Sequence, residues 1–181
     1  MNAWRVLLTL SFLLLGGCLV TFDQPLSPAA QAPKALLGHW SSKDAWGEPL
    51  RLSISRGNGN TYKAVARAKG KPAATYVFTV SRHGSRWYAS SGLPESLGGH
   101  FLIGGFEVIE DKELVVYDLD VDQVRQAVRN KELVGRDTES QDDSGPGVRV
   151  DSSPERVLAY LDDPANSDLF IEAARFQRVK Q

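Results

Sequence analysis

PLRLSISRGNGNTYKAVARAKGKPAATYVFTVSR, residues 49–82, decides the fold. Its first run sets Leu50, Leu52 and Ile54 on one face and Arg51, Ser53 and Ser55 on the other, the period-two pattern of a half-buried strand. RGNGN, residues 56–60, then supplies residues that tolerate positive φ in a hairpin. The next run places Tyr62, Ala64, Ala66 and Ala68 opposite Lys63, Val65 and Arg67. KGKP turns the chain again, and Tyr76, Phe78 and Val80 share the face that follows.

Outward from this stretch the same grammar continues. After His83-Gly84, SRWYASS extends the meander. FLIGGFEVI (101–109) and ELVVYD (113–118) form a pair joined at EDK, and DLFIEAARFQRV at the C-terminus reads as a last strand carrying Phe170, Phe176 and Val179. Two helices interrupt the pattern. One starts at Asp120, shows Val121, Val124 and Val128 at helical spacing, and is expected to end at Leu133-Val134-Gly135. The other is signalled by a capping box from Ser152 to Glu155, with Pro154 in the first turn, an apolar stripe of Val157, Leu158 and Leu161, and Pro164 as its stop. Between them GRDTESQDDSGPG, residues 135–147, reads as a solvated acidic loop without the ligand spacing of an EF-hand. The expectation is a mainly β (α+β) chain: an antiparallel meander curling into a small β-barrel of about eight strands with two helices, as one domain over residues 36–181.

The N-terminus is of another kind. Arg5 precedes a mostly apolar run, Val6 to Leu15, long enough for the core of a signal peptide and short of the roughly 20 residues that span a bilayer. The chain's one cysteine follows at once. Leu15-Gly16-Gly17-Cys18 resembles the lipobox of bacterial lipoproteins. That resemblance implies that residues 1–17 are a signal peptide, that Cys18 becomes the first residue, and that it carries diacylglycerol and an acyl chain such as palmitate. Leu19 rather than Asp after the cysteine implies, by the sorting rule of enteric bacteria, an anchor in the outer membrane facing the periplasm. A single cysteine cannot form a disulfide within its own chain, which leaves Cys18 free for lipid. Residues 18–35, rich in Pro, Ala and Gln, are read as the lipidated cysteine and a flexible tether.

Gly38-His39-Trp40, with Arg178 near the C-terminus, resembles the lipocalins and related calycins, in which a G-x-W on the first strand packs beneath a late arginine. The resemblance implies a barrel end plugged by Trp40 with the Arg178 guanidinium stacked on the ring. Two helices stand where that family has one, and its second motif has no clear counterpart.

Chemistry is sparser. The full chain carries 21 Lys+Arg against 22 Asp+Glu, and loss of residues 1–17 removes Arg5, so there is no electrostatic footprint for nucleic acid. His39, His83 and His100 are scattered without metal-ligand spacing, so no metal or cofactor is expected. Ser90, Ser91 and Ser96 lack a G-x-S-x-G elbow, and no acid–base or nucleophile set can be assembled, so the chain is read as non-enzymatic. Trp40, Tyr76, Phe78 and Trp87 either fill the core or line a binding cavity. Gly104-Gly105 inside a strand pattern marks a bulge or barrel bend, or a place where a ligand or another backbone comes close. The expected role is a membrane-anchored envelope protein that binds an envelope partner or acts as an accessory, with a lipocalin-like carrier of a small apolar ligand as the alternative.

Overall fold

The computed structural model describes residues 19–29, 31–43, 47–95, 98–138 and 146–179. Residues 1–17, read as a signal peptide, together with Cys18 and Trp46, lie outside the described residues. In chain order the strands are β1 (Leu19–Phe22), β2 (Gly38–Lys43), β3 (Pro49–Arg56), β4 (Thr61–Ala68), β5 (Ala74–His83), β6 (Arg86–Gly92), β7 (Phe101–Ile109), β8 (Glu113–Leu119), β9 (Gly135–Thr138), β10 (Gly147–Val150) and β11 (Phe170–Arg178). Helix α1 (Val121–Arg129) precedes β9, and α2 (Pro154–Leu161) follows β10.

Alternating apolar residues make every early hairpin one-sided, and a one-sided sheet must cover that side or close on itself. Here it closes. Strands β2 to β8 pair in sequence, β11 joins β8 to β2, and β6 pairs with β7, giving an antiparallel eight-stranded barrel. The β7–β8 hairpin turns where expected, with Glu110 (φ 49°) and Asp111 (φ 57°) both left-handed as a tight hairpin requires.

Two cores result. Trp40, Ile54, Tyr62, Val80, Phe106 and Phe176 fill the barrel's interior. The second core lies outside the wall, where Tyr88, Ile103 and Leu119 meet Val124 of α1, Val150 of β10 and Leu161 of α2. Elements between β8 and β11 therefore form a cover rather than part of the barrel, with β1, β10 and β9 as a ribbon joined to β7 at Phe22↔Phe101. No helix among the described residues is long and apolar enough to cross a membrane.

The segment read as a flexible tether is built into the fold. Its Leu19–Phe22 pairs in parallel with Gly147–Val150, and Leu26 is fully buried. The backbone is anchored too: Leu26 N–H donates to Ser90 Oγ (3.2 Å), Ala29 N–H to the Val80 carbonyl (2.6 Å), and Ala32 N–H to the Tyr62 hydroxyl (2.6 Å). It lacks a sequence period because it crosses from the outer core over the barrel rim, burying one apolar side chain at a time.

Three local boundaries also differ from expectation. Helix α1 ends at Arg129, because Lys131 adopts a left-handed φ of 64°, while Leu133 turns inward and is buried. The cap of α2 is Ser153, whose side chain accepts from Arg156 N–H; the Ser152 hydroxyl instead accepts from Val134 N–H at 2.7 Å. Finally, Gly135–Thr138, read as the start of the acidic loop, is strand β9 and pairs with Gly147–Val150, while residues 139–145 lie outside the described residues. A side chain at Gly147 would collide with the Leu19 carbonyl, its Cβ 1.9 Å from that oxygen, so only glycine permits β1 to lie alongside.

Candidate functional site

One barrel end is sealed. Trp40 is fully buried there, and its indole N–H donates to the Leu36 carbonyl at 3.0 Å. The Arg178 guanidinium lies 4.2 Å from the Trp40 ring centroid, donates to the carbonyls of Ala35 and Leu37, and reaches the Asp111 carbonyl through Nε. Gly38 makes room for it: its φ is 130°, and a Cβ would stand 2.8 Å from Arg178 Nη1. The Trp40–Arg178 contact implied by the resemblance to calycins is thus formed in the structure.

The opposite end is different. Strand register places Ile54, Leu52 and Leu50 in succession on the inner wall, and they pass from buried to half-buried away from the Trp40 end. The same gradient recurs along Tyr62, Ala64 and Ala66, along Val80, Phe78 and Tyr76, and along Phe106, Gly104 and Leu102. It recurs on Leu114, Val116 and Asp118, and on Phe176 and Ala174. These inward side chains are thus touched by solvent at this end and shielded from it nearer the Trp40 end.

The residues singled out from sequence separate accordingly. Tyr76, Phe78 and Gly104 line the open half. Trp40 belongs to the plug. Trp87 faces inward near the sealed end, stacked on Phe106 at 6.2 Å with the Arg82 guanidinium 5.1 Å from its ring. Gly105 faces outward, where a Cβ would meet the Phe170 ring at 3.3 Å. These glycines are not a bulge: β6 and β7 stay in register through both, and the register shift falls on β11 between Glu172 and Ala174. The glycine pair instead allows close packing outside, beneath Phe170, and leaves the inner wall low.

Sequence reasoning missed Asp118. It shares the inner face with Leu114 and Val116 and pairs with Ile171 across β11. Asp118 is an exposed residue, and partial burial of its carboxyl pushes its pKa above the ordinary value. It has no hydrogen-bond or ion-pair partner among the described residues. The signal was its parity: ELVVYD puts an acid on the apolar face.

Elsewhere the three histidines each have a local partner. His39 Nδ1 is 2.9 Å from Ser53 Oγ, His83 Nδ1 is 2.9 Å from Asp162 Oδ2, and His100 Nδ1 is 3.5 Å from Asp23 Oδ1. The Tyr88 hydroxyl, in the outer core, is buried without a partner among the described residues; burial, with the Asp162 charge adding to it, pushes its pKa up to about 12. No group of three or more His, Cys, Asp or Glu able to hold a metal occurs among the described residues. A polar depression of about 410 Å³ lies along α1 beside Asp122, Arg125 and Arg129, but Arg125 is paired with both Asp122 and Asp137. Compared with known protein families, curated proteins and solved structures, the chain finds no significant match.

Proposed function

We propose that this protein is an exported, lipid-anchored bacterial envelope protein that works by binding, holding a small ligand with an apolar body in the open half of a calycin-like barrel. One observation carries the binding reading. Inward-facing apolar side chains grade from buried at the Trp40 end to solvent-touched at the other, as in a cup. A barrel of eight strands has an interior that side chains can fill or that can hold one small ligand, and here the aromatic filling is concentrated at one end. The Gly38-Trp40-Arg178 arrangement and the first-to-last strand closure support the calycin kinship. The lipobox supports the anchor at Cys18, and Leu19 after it supports the periplasmic face of the outer membrane.

Native mass spectrometry of the full chain released from membranes tests the cup. A small apolar adduct should accompany the wild-type protein and be lost from Ala66→Trp, which fills the half-buried inner wall while the sealed end stays intact. A wild-type protein that carries no adduct and takes up no apolar probe would refute the reading. For the anchor, Cys18→Ala should abolish acyl labelling and detergent partitioning; unchanged membrane association would refute it.

A further inference from the structure

We infer that the sealed end of the barrel docks on an anionic phospholipid surface, so that the anchored protein stands on its Trp40 end and turns the opposite end away from the membrane. The inference rests on the anchor at Cys18 proposed above and adds an orientation to it. A free tether over residues 19–35 would let the domain move tens of ångströms from the lipid, at about 3.3 Å per residue. That slack is taken up by the fold. Cys18 is joined directly to Leu19, whose N–H donates to the Pro146 carbonyl at 3.1 Å, and Leu19–Phe22 is zipped along Gly147–Val150. Phe22 is buried, and Asp23 is held by the Arg149 guanidinium at 2.6 Å. The Cα that carries the lipid is thus about 3.8 Å from a fixed strand. Strand direction says which way the anchor lies. β7 runs from Phe101 to the turn whose Asp111 carbonyl meets Arg178, and β1 is antiparallel to β7, so the path from Phe22 back to Leu19 leads toward the sealed end.

Charge at that end is the second observation. Three inward-facing rows finish there in arginine: Arg56 lies two residues beyond Ile54, Arg82 two beyond Val80, and Arg178 two beyond Phe176. Lys34 adds an exposed cation from the segment that plugs the barrel. None of these cations forms an ion pair with a carboxylate among the described residues. Arg178 is directed to backbone carbonyls and the Trp40 face, and Arg82 lies over the Trp87 ring. The neighbouring acids are Glu110, tied to Lys112 at 3.1 Å, Asp162, tied to His83 at 2.9 Å, and Asp111 in the β7–β8 turn. A collar of uncompensated cations is attracted to a plane of anionic headgroups within a Debye length. Lipid on Cys18 already holds the protein at the surface, so weak charge contacts suffice to set which face turns down. Whatever meets the half-exposed end of the barrel then arrives from the aqueous side.

Cys18 is the chain's one cysteine, so a second cysteine introduced for labelling is unique once Cys18 is acylated. Asn60→Cys puts a bimane fluorophore in the β3–β4 turn at the sealed end, and Lys69→Cys puts it in the β4–β5 turn at the other. Each full-length chain, purified from membranes, is reconstituted into phosphatidylcholine vesicles containing phosphatidylglycerol and a nitroxide-headgroup lipid. Quenching should be several-fold stronger at position 60 than at position 69, since β4 separates the two turns by about 25 Å. Lys34→Glu with Arg56→Glu, which spares the contacts on Trp40 and Trp87, should bring the two signals together, as should vesicles without phosphatidylglycerol. Arg56→Gln with Arg82→Gln should do the same if the charge reversals unfold the domain. Equal quenching at both positions in the acylated protein, or stronger quenching at position 69, would overturn the orientation, leave the collar to an anionic protein partner and leave the anchor standing. A difference that survives both the substitutions and neutral lipid would overturn the role of the collar. A membrane-purified chain whose mass lacks acyl groups would remove the anchor, and this inference with it.

Discussion

Arg178 contacts more of the sealed end than any other side chain discussed, since one guanidinium spans the Trp40 face and three carbonyls from two separate loops. Arg178→Ala should lower stability by about 2 kcal/mol or more, read from urea unfolding, because charge-assisted hydrogen bonds and a ring contact vanish together. Arg178→Lys should rescue little, as an ammonium lacks the planar fork that reaches several carbonyls at once. Asp118 acts in the opposite sense. Its folded-state pKa is raised above the ordinary 3.8, so it costs nothing below that value and becomes a penalty as pH rises through the folded pKa. Asp118→Asn should therefore raise Tm at neutral pH, with the gain shrinking to nothing as pH falls below about 4. Glu113 and Glu172, held below their usual range chiefly by hydrogen bonds from Gln177 and Arg175, contribute stability that is lost on acidification. The informative quantity is thus the difference between variant and wild type at each pH. An unchanged difference from pH 3 to pH 8 would contradict the placement of Asp118.

At the scale of elements, the strands were legible and the caps only nearly so. Alternation in residues 49–82 specifies register because a one-residue slip would turn Leu50, Leu52 and Ile54 out to solvent. Nothing comparable fixes a helix start when two serines are adjacent. The spacing from Ser152 to Glu155 fits a capping box, yet Ser153 takes the cap because Ser152 is drawn inward to bond Val134. Tertiary demand on one hydroxyl shifted the helix frame by a residue. Ser153→Ala should cost about 1 kcal/mol through the lost cap. Ser152→Ala should cost at least as much, because it leaves the Val134 N–H without its partner. Equal tolerance of both substitutions in thermal unfolding would mean that neither contact matters. Likewise β9 and β10 were invisible as strands, four residues each and too polar or too short to show a period; they pair with each other, and only β10 reaches a further partner, the distant β1.

At the scale of the molecule, composition misled where wrapping mattered. Residues 19–35 are rich in Pro, Ala and Gln and without a period, yet they tie the outer core to the sealed barrel end. Leu26→Ala distinguishes the two descriptions sharply. A tether residue could be trimmed without effect, whereas a fully buried leucine should cost about 2–5 kcal/mol in urea unfolding. The candidate site shows the same division. Tyr76 and Phe78 could be named because their face was readable, but which end of the barrel stays open depends on where Trp40, Leu36 and Ala32 come to rest. That is a property of closure, and no local window contains it.

Closure also orders events in time. The first barrel strand, β2, can complete its pairing only with the last, β11, and Arg178 must arrive before Leu37 is capped, 141 positions apart along the chain. Earlier still, β1 waits for β10. A growing chain therefore holds open sheet edges until β11 has emerged, and such late, long-range pairing makes folding slow and exposes edges that invite aggregation. In the exported chain proposed above, the same delay keeps the polypeptide threadable until it has crossed, so the barrel seals only on the far side.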